Sequence, residues 1–214
     1  EPTLFARIQR LVKEGKWNII GGWYLQPDCV ATSGESLLSQ ISLGRKYFKE
    51  KFGVEPKIAM NVDSFGHTRG LVQILNKCGF EGYLSKRPEW LAGSFLWRGF
   101  DGSTIPVHSL YDGYGSLKGE AVKKINEHFG HGPEREESMC MWGIGNHGGG
   151  ASREDLEQIA ERMKVGDIEM LHSTPEAFFA SLDRTKLRRV GSLFGMRNHP
   201  ILNIWRMHEG VDLT

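Results

Sequence analysis

Residues 145–150 read Gly-Asn-His-Gly-Gly-Gly and follow directly on an apolar run at 139–144. Three glycines in a row cost conformational entropy on folding, so the run is most useful where a backbone must approach a ligand or a metal closely. His147 at a strand end is the first candidate donor. Asp63 is the second, in Asp63-Ser64-Phe65-Gly66-His67, after the apolar stretch at 57–62. Asp28 follows Gln26-Pro27, and Asp112 precedes Gly113 after the stretch at 105–111. A histidine and an aspartate at the ends of different strands are good zinc ligands, nitrogen and oxygen at about 2.0–2.2 Å, but a stable site needs at least three protein donors. Each residue also has a plainer reading. An aspartate after a strand commonly caps the next turn, which suits Asp63 and Asp28, and Asp-Gly is a common turn dipeptide, which suits Asp112. His67 reads as a hydrogen-bonded structural histidine. His147 has no such simple alternative, because Asn146 would be the better cap.

The elements that must position these groups alternate. Leu4, Phe5, Ile8, Leu11 and Val12 lie on one face of a helix over residues 2–14. Residues 17–24 read as a strand. Ser33 opens a helix that runs to Gly53. A strand at 57–62, a helix at 71–78 and strands at 82–85 and 95–100 follow. Asp101-Gly102 marks a hairpin into a strand at 105–111. A helix at 120–129, a strand at 138–144, a helix at 152–163, a strand at 168–171 and a helix opened by Ser173-Thr174-Pro175 complete the order. Such alternation predicts parallel βα units, whose chemistry gathers at the carboxyl ends of the strands. His128 and His131, spaced H-x-x-H at a helix end, read as a polar surface.

Bulk composition narrows the classes. The chain has 214 residues, 39% hydrophobic and 25% charged, which suits one globular domain with its own core. A net charge of +1 gives no electrostatic case for nucleic acid or an anionic membrane. No apolar run approaches a membrane span, and no signal-peptide pattern opens the sequence, which starts at Glu1. Cys29, Cys78 and Cys140 are an odd number without C-x-x-C spacing, so free thiols in a reducing compartment, the cytoplasm, are expected.

Five blocks carry a resemblance: GGWYLQPD at 21–28, SGESLLSQISLGRKYFKEKFG at 33–53, NVDSFGHTRGLVQIL at 61–75, FLWRGFDGS at 95–103 and GIGNHGGGASREDL at 143–156. In this order and spacing they resemble the catalytic domain of α-mannosidases of glycoside hydrolase family 38, nearest to bacterial and cytosolic-type members. The resemblance covers roughly residues 1–190 and leaves 191–214 as a divergent tail. It implies an α/β fold, a seven-stranded (β/α) barrel-like domain with parallel strands, here incomplete. It implies retaining, zinc-dependent hydrolysis of α-mannosidic bonds in mannose-containing oligosaccharides, with cobalt as a substitute metal. By motif, Asp63 matches the nucleophile and metal ligand, and His147 the later metal histidine. Asp112 is a candidate acid/base. Asp28 and Trp23 are candidate substrate-binding residues, Trp23 as a flat wall against a sugar or else as a core residue.

A retaining glycosidase needs two carboxyl groups about 5–5.5 Å apart. A zinc ion would clamp neighbouring sugar hydroxyls and favour ring distortion. The family's first strand, with a further His-x-Asp metal pair, lies ahead of the helix at 2–14, and that pair is not in these 214 residues. The expectation is therefore little or no activity from this chain alone. The alternative is a non-catalytic carbohydrate-binding or structural remnant of the same fold. A metal-dependent deacetylase is disfavoured, since no H-x-x-x-H pair is present.

Overall fold

The computed structural model describes residues 2–64, 66–87, 91–130, 137–145 and 148–191. These fall into two compact units, one built from residues up to 109 and from 174 on, the other Leu110–Ser173. The tail expected at 191–214 lies, apart from Gly191, outside the described residues.

The larger unit contains α1 (Pro2–Lys13), α2 (Gly34–Phe52), β1 (Ile58–Asn61), α3 (Gly70–Lys77), β2 (Gly82–Ser85), β3 (Gly93–Arg98), β4 (Thr104–Ser109), and, below, α6 (Pro175–Ser181) and β5 (Arg189–Val190). The strands form one sheet in the order β1-β2-β4-β3-β5. β1 pairs with β2, β2 with β4, and β3 with β5, all in parallel. The β3–β4 pair is antiparallel, from Gly93↔Ser109 to Arg98↔Thr104. The expected hairpin accounts for it. Gly102 takes φ 82°, which a side chain would resist, and Asp101 Oδ1 accepts hydrogen bonds from Ser103 N and Oγ. The sheet is therefore mixed and parallel-dominated. A seven-stranded barrel is not found among the described residues.

Helix ends follow their local chemistry. Ser33 Oγ accepts from Ser36 N at the start of α2, and Gly53 closes it at φ 70°, donating to Lys49 O. Thr174 Oγ1 caps α6 in the same way, with Pro175 in its first turn. One core lies between α2, α3 and the sheet, built from Leu37, Ile41, Leu71, Leu75, Tyr83, Phe95, Trp97 and Val107 among others.

Residues 17–24 are not a strand. Gly21 and Gly22 have φ of 94° and 75°, outside extended backbone, and only one parallel bridge forms, Gly21↔Ala59. The segment docks on α2 instead: Tyr24 N donates to Gln40 O, and Leu25 N to Gln40 Oε1. Its backbone passes so close that a Cβ on Gly44 would lie 2.4 Å from the Trp23 carbonyl carbon.

The second unit holds α4 (Ala121–Gly130) and α5 (Arg153–Met163). Ala121, Ile125 and Ile159 pack together, with Phe129, Cys140, Trp142, Met163 and Met170 around them. Ser152 caps α5 through Asp155 N, and the buried Asp155 reaches across to accept from Ala121 N at 3.1 Å. Residues 138–144 and 168–171 are not strands either. Apolar residues in them pack on the two helices rather than on a sheet, and the first stretch makes only the bridge Ser116↔Ile144. An apolar run without a partner strand has no ladder to join.

Candidate functional site

In the larger unit, β1 ends at Asn61, and Asp63 stands exposed two residues on, at the carboxyl end of a parallel strand. The turn that carries it is laced from below. Asn61, fully buried, accepts from Ser64 N through Oδ1 and donates through Nδ2 to Pro27 O at 2.8 Å. Cys29 N donates to Ser64 Oγ, and Thr68 N to Cys29 O. The loops of Asp28 and Asp63 are thereby tied side by side. Asp28 also acts within its own loop: Oδ1 accepts from Val30 N and Ala31 N, each at 2.8 Å. Trp23 takes the core alternative. It is 6% exposed, its ring packs against Phe80, and Nε1 donates to Met60 O, so it offers no open face to a sugar.

Beneath Asp63 lies a buried polar group. His67 Nδ1 and Tyr83 OH are 2.8 Å apart, and Cys29 Sγ accepts from Asn61 Nδ2 at 2.9 Å. Burial raises the Cys29 thiol to about 11, so it stays neutral and inert. Burial also lowers the His67 imidazole from 6.5 to about 4, against a smaller opposing effect of the Arg87 backbone. A histidine depressed on folding is neutral in the native state while the unfolded chain takes up a proton. His67 therefore costs nothing above pH 6.5 and progressively destabilises the fold as pH falls towards 4, by about 3 kcal/mol at most. Urea midpoints from pH 7 to 4 should show this slope in the native chain and a shallower one in His67→Asn. Equal slopes would remove His67 as its source.

In the second unit, Asp112 does not stand alone. Its Oδ2 lies 2.6 Å from His128 Nδ1, with the Asp112 side chain 27% exposed and His128 1%. His128 Nε2 lies 2.7 Å from Ser138 Oγ. The reading of His128 as surface is corrected: it extends the buried face of α4 begun by Ala121 and Ile125. That period, at positions i, i+4 and i+7, was the signal in the sequence. His131 is outside the described residues.

His147 and Asn146 also lie outside the described residues. The flanking glycines are described in part. A Cβ on Gly148 or Gly150 would meet nothing within 4 Å, so internal packing does not account for those glycines. Among the described residues no three His, Cys, Asp or Glu side chains come together to hold a metal ion. With His147 added, Asp63 and His147 are two donors, short of the three that zinc requires. Among the described residues, no helix is long and apolar enough to cross a membrane.

The family described as glycosyl hydrolases family 38 N-terminal domain matches residues 1–206, past the boundary at 191. Alpha-mannosidase G of Dictyostelium discoideum is 28% identical over 208 residues, 90% of this chain and 19% of that protein. Alpha-mannosidase 2C1 of Homo sapiens is 28% identical over 193 residues, 85% of this chain and 18% of that protein. The chain thus spans about a fifth of the length of these curated relatives. An alpha-mannosidase from Enterococcus faecalis V583 superposes with a TM-score of 0.73 at 19% identity, over 89% of this chain and 23% of that one. A 4-alpha-glucanotransferase from Thermococcus litoralis reaches 0.61 at 18% identity, over 90% of this chain and 31% of that one. At such identities the likeness is one of fold.

Proposed function

The chain belongs to the glycosyl hydrolase family 38 N-terminal domains, and on that premise we propose that it is part of the catalytic domain of a retaining α-mannosidase. The observation that carries the reading is the family match over 1–206, with Asp63 presented at the carboxyl end of β1. In this reading Asp63 is the nucleophile. It attacks the anomeric carbon of an α-mannoside, the aglycone leaves with a proton from an acid, and water then releases mannose from the ester with net retention. Asp112 is the candidate acid in this stretch, and its Oδ2 is shared with His128. By motif alone, Asp63 and His147 would each be a metal ligand in a complete enzyme, which would need further donors. The substrate is a mannose-containing oligosaccharide or glycan.

The buried lacing by Asn61, Ser64 and Cys29 suits this role. A nucleophile on a turn gains rate only when the turn holds it in an attacking geometry, and a fixed turn saves that cost at the moment of reaction.

The test is the complete polypeptide encoded at this locus with an aryl α-mannoside, the first product followed by NMR. α-Mannose as first product supports retention, and β-mannose overturns it. The purified 214-residue chain should show no chelator-sensitive hydrolysis of the same substrate. Turnover by that short chain would contradict the need for further metal donors. Stabilisation of the short chain by mannose, with no hydrolysis by the complete polypeptide, would instead favour a carbohydrate-binding remnant.

A further inference from the structure

We propose that Asp112, His128 and Ser138 form a second reactive site, with Ser138 as an activated nucleophile towards carboxylic esters of small acyl groups. The site lies within the Leu110–Ser173 unit alone, and it takes Asp112 as the carboxylate that orients His128, a role that excludes Asp112 as the acid of the α-mannosidase reading. Its geometry sets the roles. The Asp112 carboxylate lies 2.6 Å from His128 Nδ1. A carboxylate only accepts, so with the ring neutral it is Nδ1 that carries the hydrogen. Nε2 must then be the acceptor, and Ser138 Oγ, 2.7 Å away, donates its hydrogen to it. A hydroxyl that donates to an imidazole held in this tautomer by a carboxylate has the arrangement of a nucleophile, its general base and the group that orients the base.

The frame around the three residues is fixed. His128 is 1% exposed, and the Tyr111 and Phe129 rings meet its ring edge-on, which holds its plane. Lys124 Nζ donates to the carbonyls of Gly113, Gly115 and Met141 at 2.7–3.0 Å. It thereby binds the loop after Asp112 to the segment after Ser138. Ser116 adds a second tie to that segment, donating from N to Gly143 O and accepting at Oγ from Gly143 N. Ser138 itself is half-buried, on the solvent side of the buried His128. A merely structural histidine needs both nitrogens satisfied, but it does not need one partner to be a partly exposed hydroxyl.

The reaction balances with water alone. Ser138 Oγ adds to the acyl carbon as its proton passes to His128 Nε2. The ester C–O bond breaks and the alcohol departs with that proton. Water, deprotonated by His128, then releases the acid and restores Ser138.

The experiment is covalent labelling of the 214-residue chain by a fluorophosphonate, which forms a P–O bond to the serine and expels fluoride. The expected result is one adduct, mapped by peptide mass to Ser138 and absent in Ser138→Ala. Asp112→Asn keeps the shape of the side chain but can donate to Nδ1, which turns Nε2 into the protonated nitrogen and removes the base. Labelling should slow about 100-fold or more in that variant. An absence of adduct on Ser138 in the folded native chain overturns the proposal. So does an Asp112→Asn chain with an unchanged urea midpoint that labels at the native rate.

Discussion

Replacing Asp63 by alanine in the complete polypeptide that carries this stretch should lower α-mannoside hydrolysis by about 10⁴-fold or more, the scale on which loss of a nucleophile acts. The residue is exposed, so the substitution removes chemistry rather than packing. The turn beneath it is fixed through Asn61, Ser64 and Cys29, whose hydrogen bonds to one another do not run through the Asp63 side chain. Thermal midpoints should therefore change little. Added azide should restore turnover, because a small anion can occupy the emptied space. The product should be the β-mannosyl azide, since azide attacks from the face that Asp63 used. An alanine variant with native kcat/KM would remove Asp63 from the reaction.

Gly44→Ala should destabilise the larger unit strongly, in the 214-residue chain itself. Alanine is normally favoured over glycine inside a helix by about 1 kcal/mol. Here the added Cβ would stand 2.4 Å from Trp23 C, 2.6 Å from Gly22 O and 2.6 Å from Tyr24 N. All three are backbone atoms, and Gln40 holds that backbone to the same helix with two hydrogen bonds. Neither side can yield locally, so α2 must shift away from the segment and loosen Leu37 and Ile41 in the core. The clash outweighs the helix gain, with a net loss of about 2–3 kcal/mol and a fall of about 5–10 °C in Tm. Gly34→Ala is the control on the same helix. Its Cβ would meet only Ile74 Cδ1, at an ordinary 3.6 Å. Calorimetry on both variants decides the matter. Equal midpoints would mean that α2 does not press on residues 22–24.

Local signals in the sequence led to most elements of the fold. Ser33, Gly53, Ser152 and Thr174 mark helix ends that the structure keeps, because capping is decided within a few residues. Asp101-Gly102 marked the hairpin for the same reason. Strands were harder. Residues 17–24, 138–144 and 168–171 have the apolar content of strands, yet a strand exists only where a neighbour offers a ladder, and that neighbour is distant in sequence. The segment at 17–24 carries its own warning in Gly21-Gly22, whose positive φ breaks the extension.

The candidate site divides in the same way. The position of Asp63 after a strand was legible because that strand does form. Trp23 was ambiguous, since an indole suits both a core and a sugar platform, and only its hydrogen bond to Met60 O resolves it. His128 was misjudged on its H-x-x-H spacing with His131, although the period of α4 placed it inward. Its partners could not be read at all. Asp112 and Ser138 lie on opposite sides of α4 in the sequence and meet only through the fold.

As the proposed nucleophile, Asp63 should become bonded to mannose during turnover. If the proposed reading holds, the complete polypeptide at this locus, incubated with a 5-fluoro mannosyl fluoride, should form its glycosyl ester quickly and hydrolyse it slowly. Peptide mapping of the trapped protein should place the added sugar on Asp63. Hydrolysis of α-mannosides with the label on another residue, or no hydrolysis and no label at all, would contradict the account.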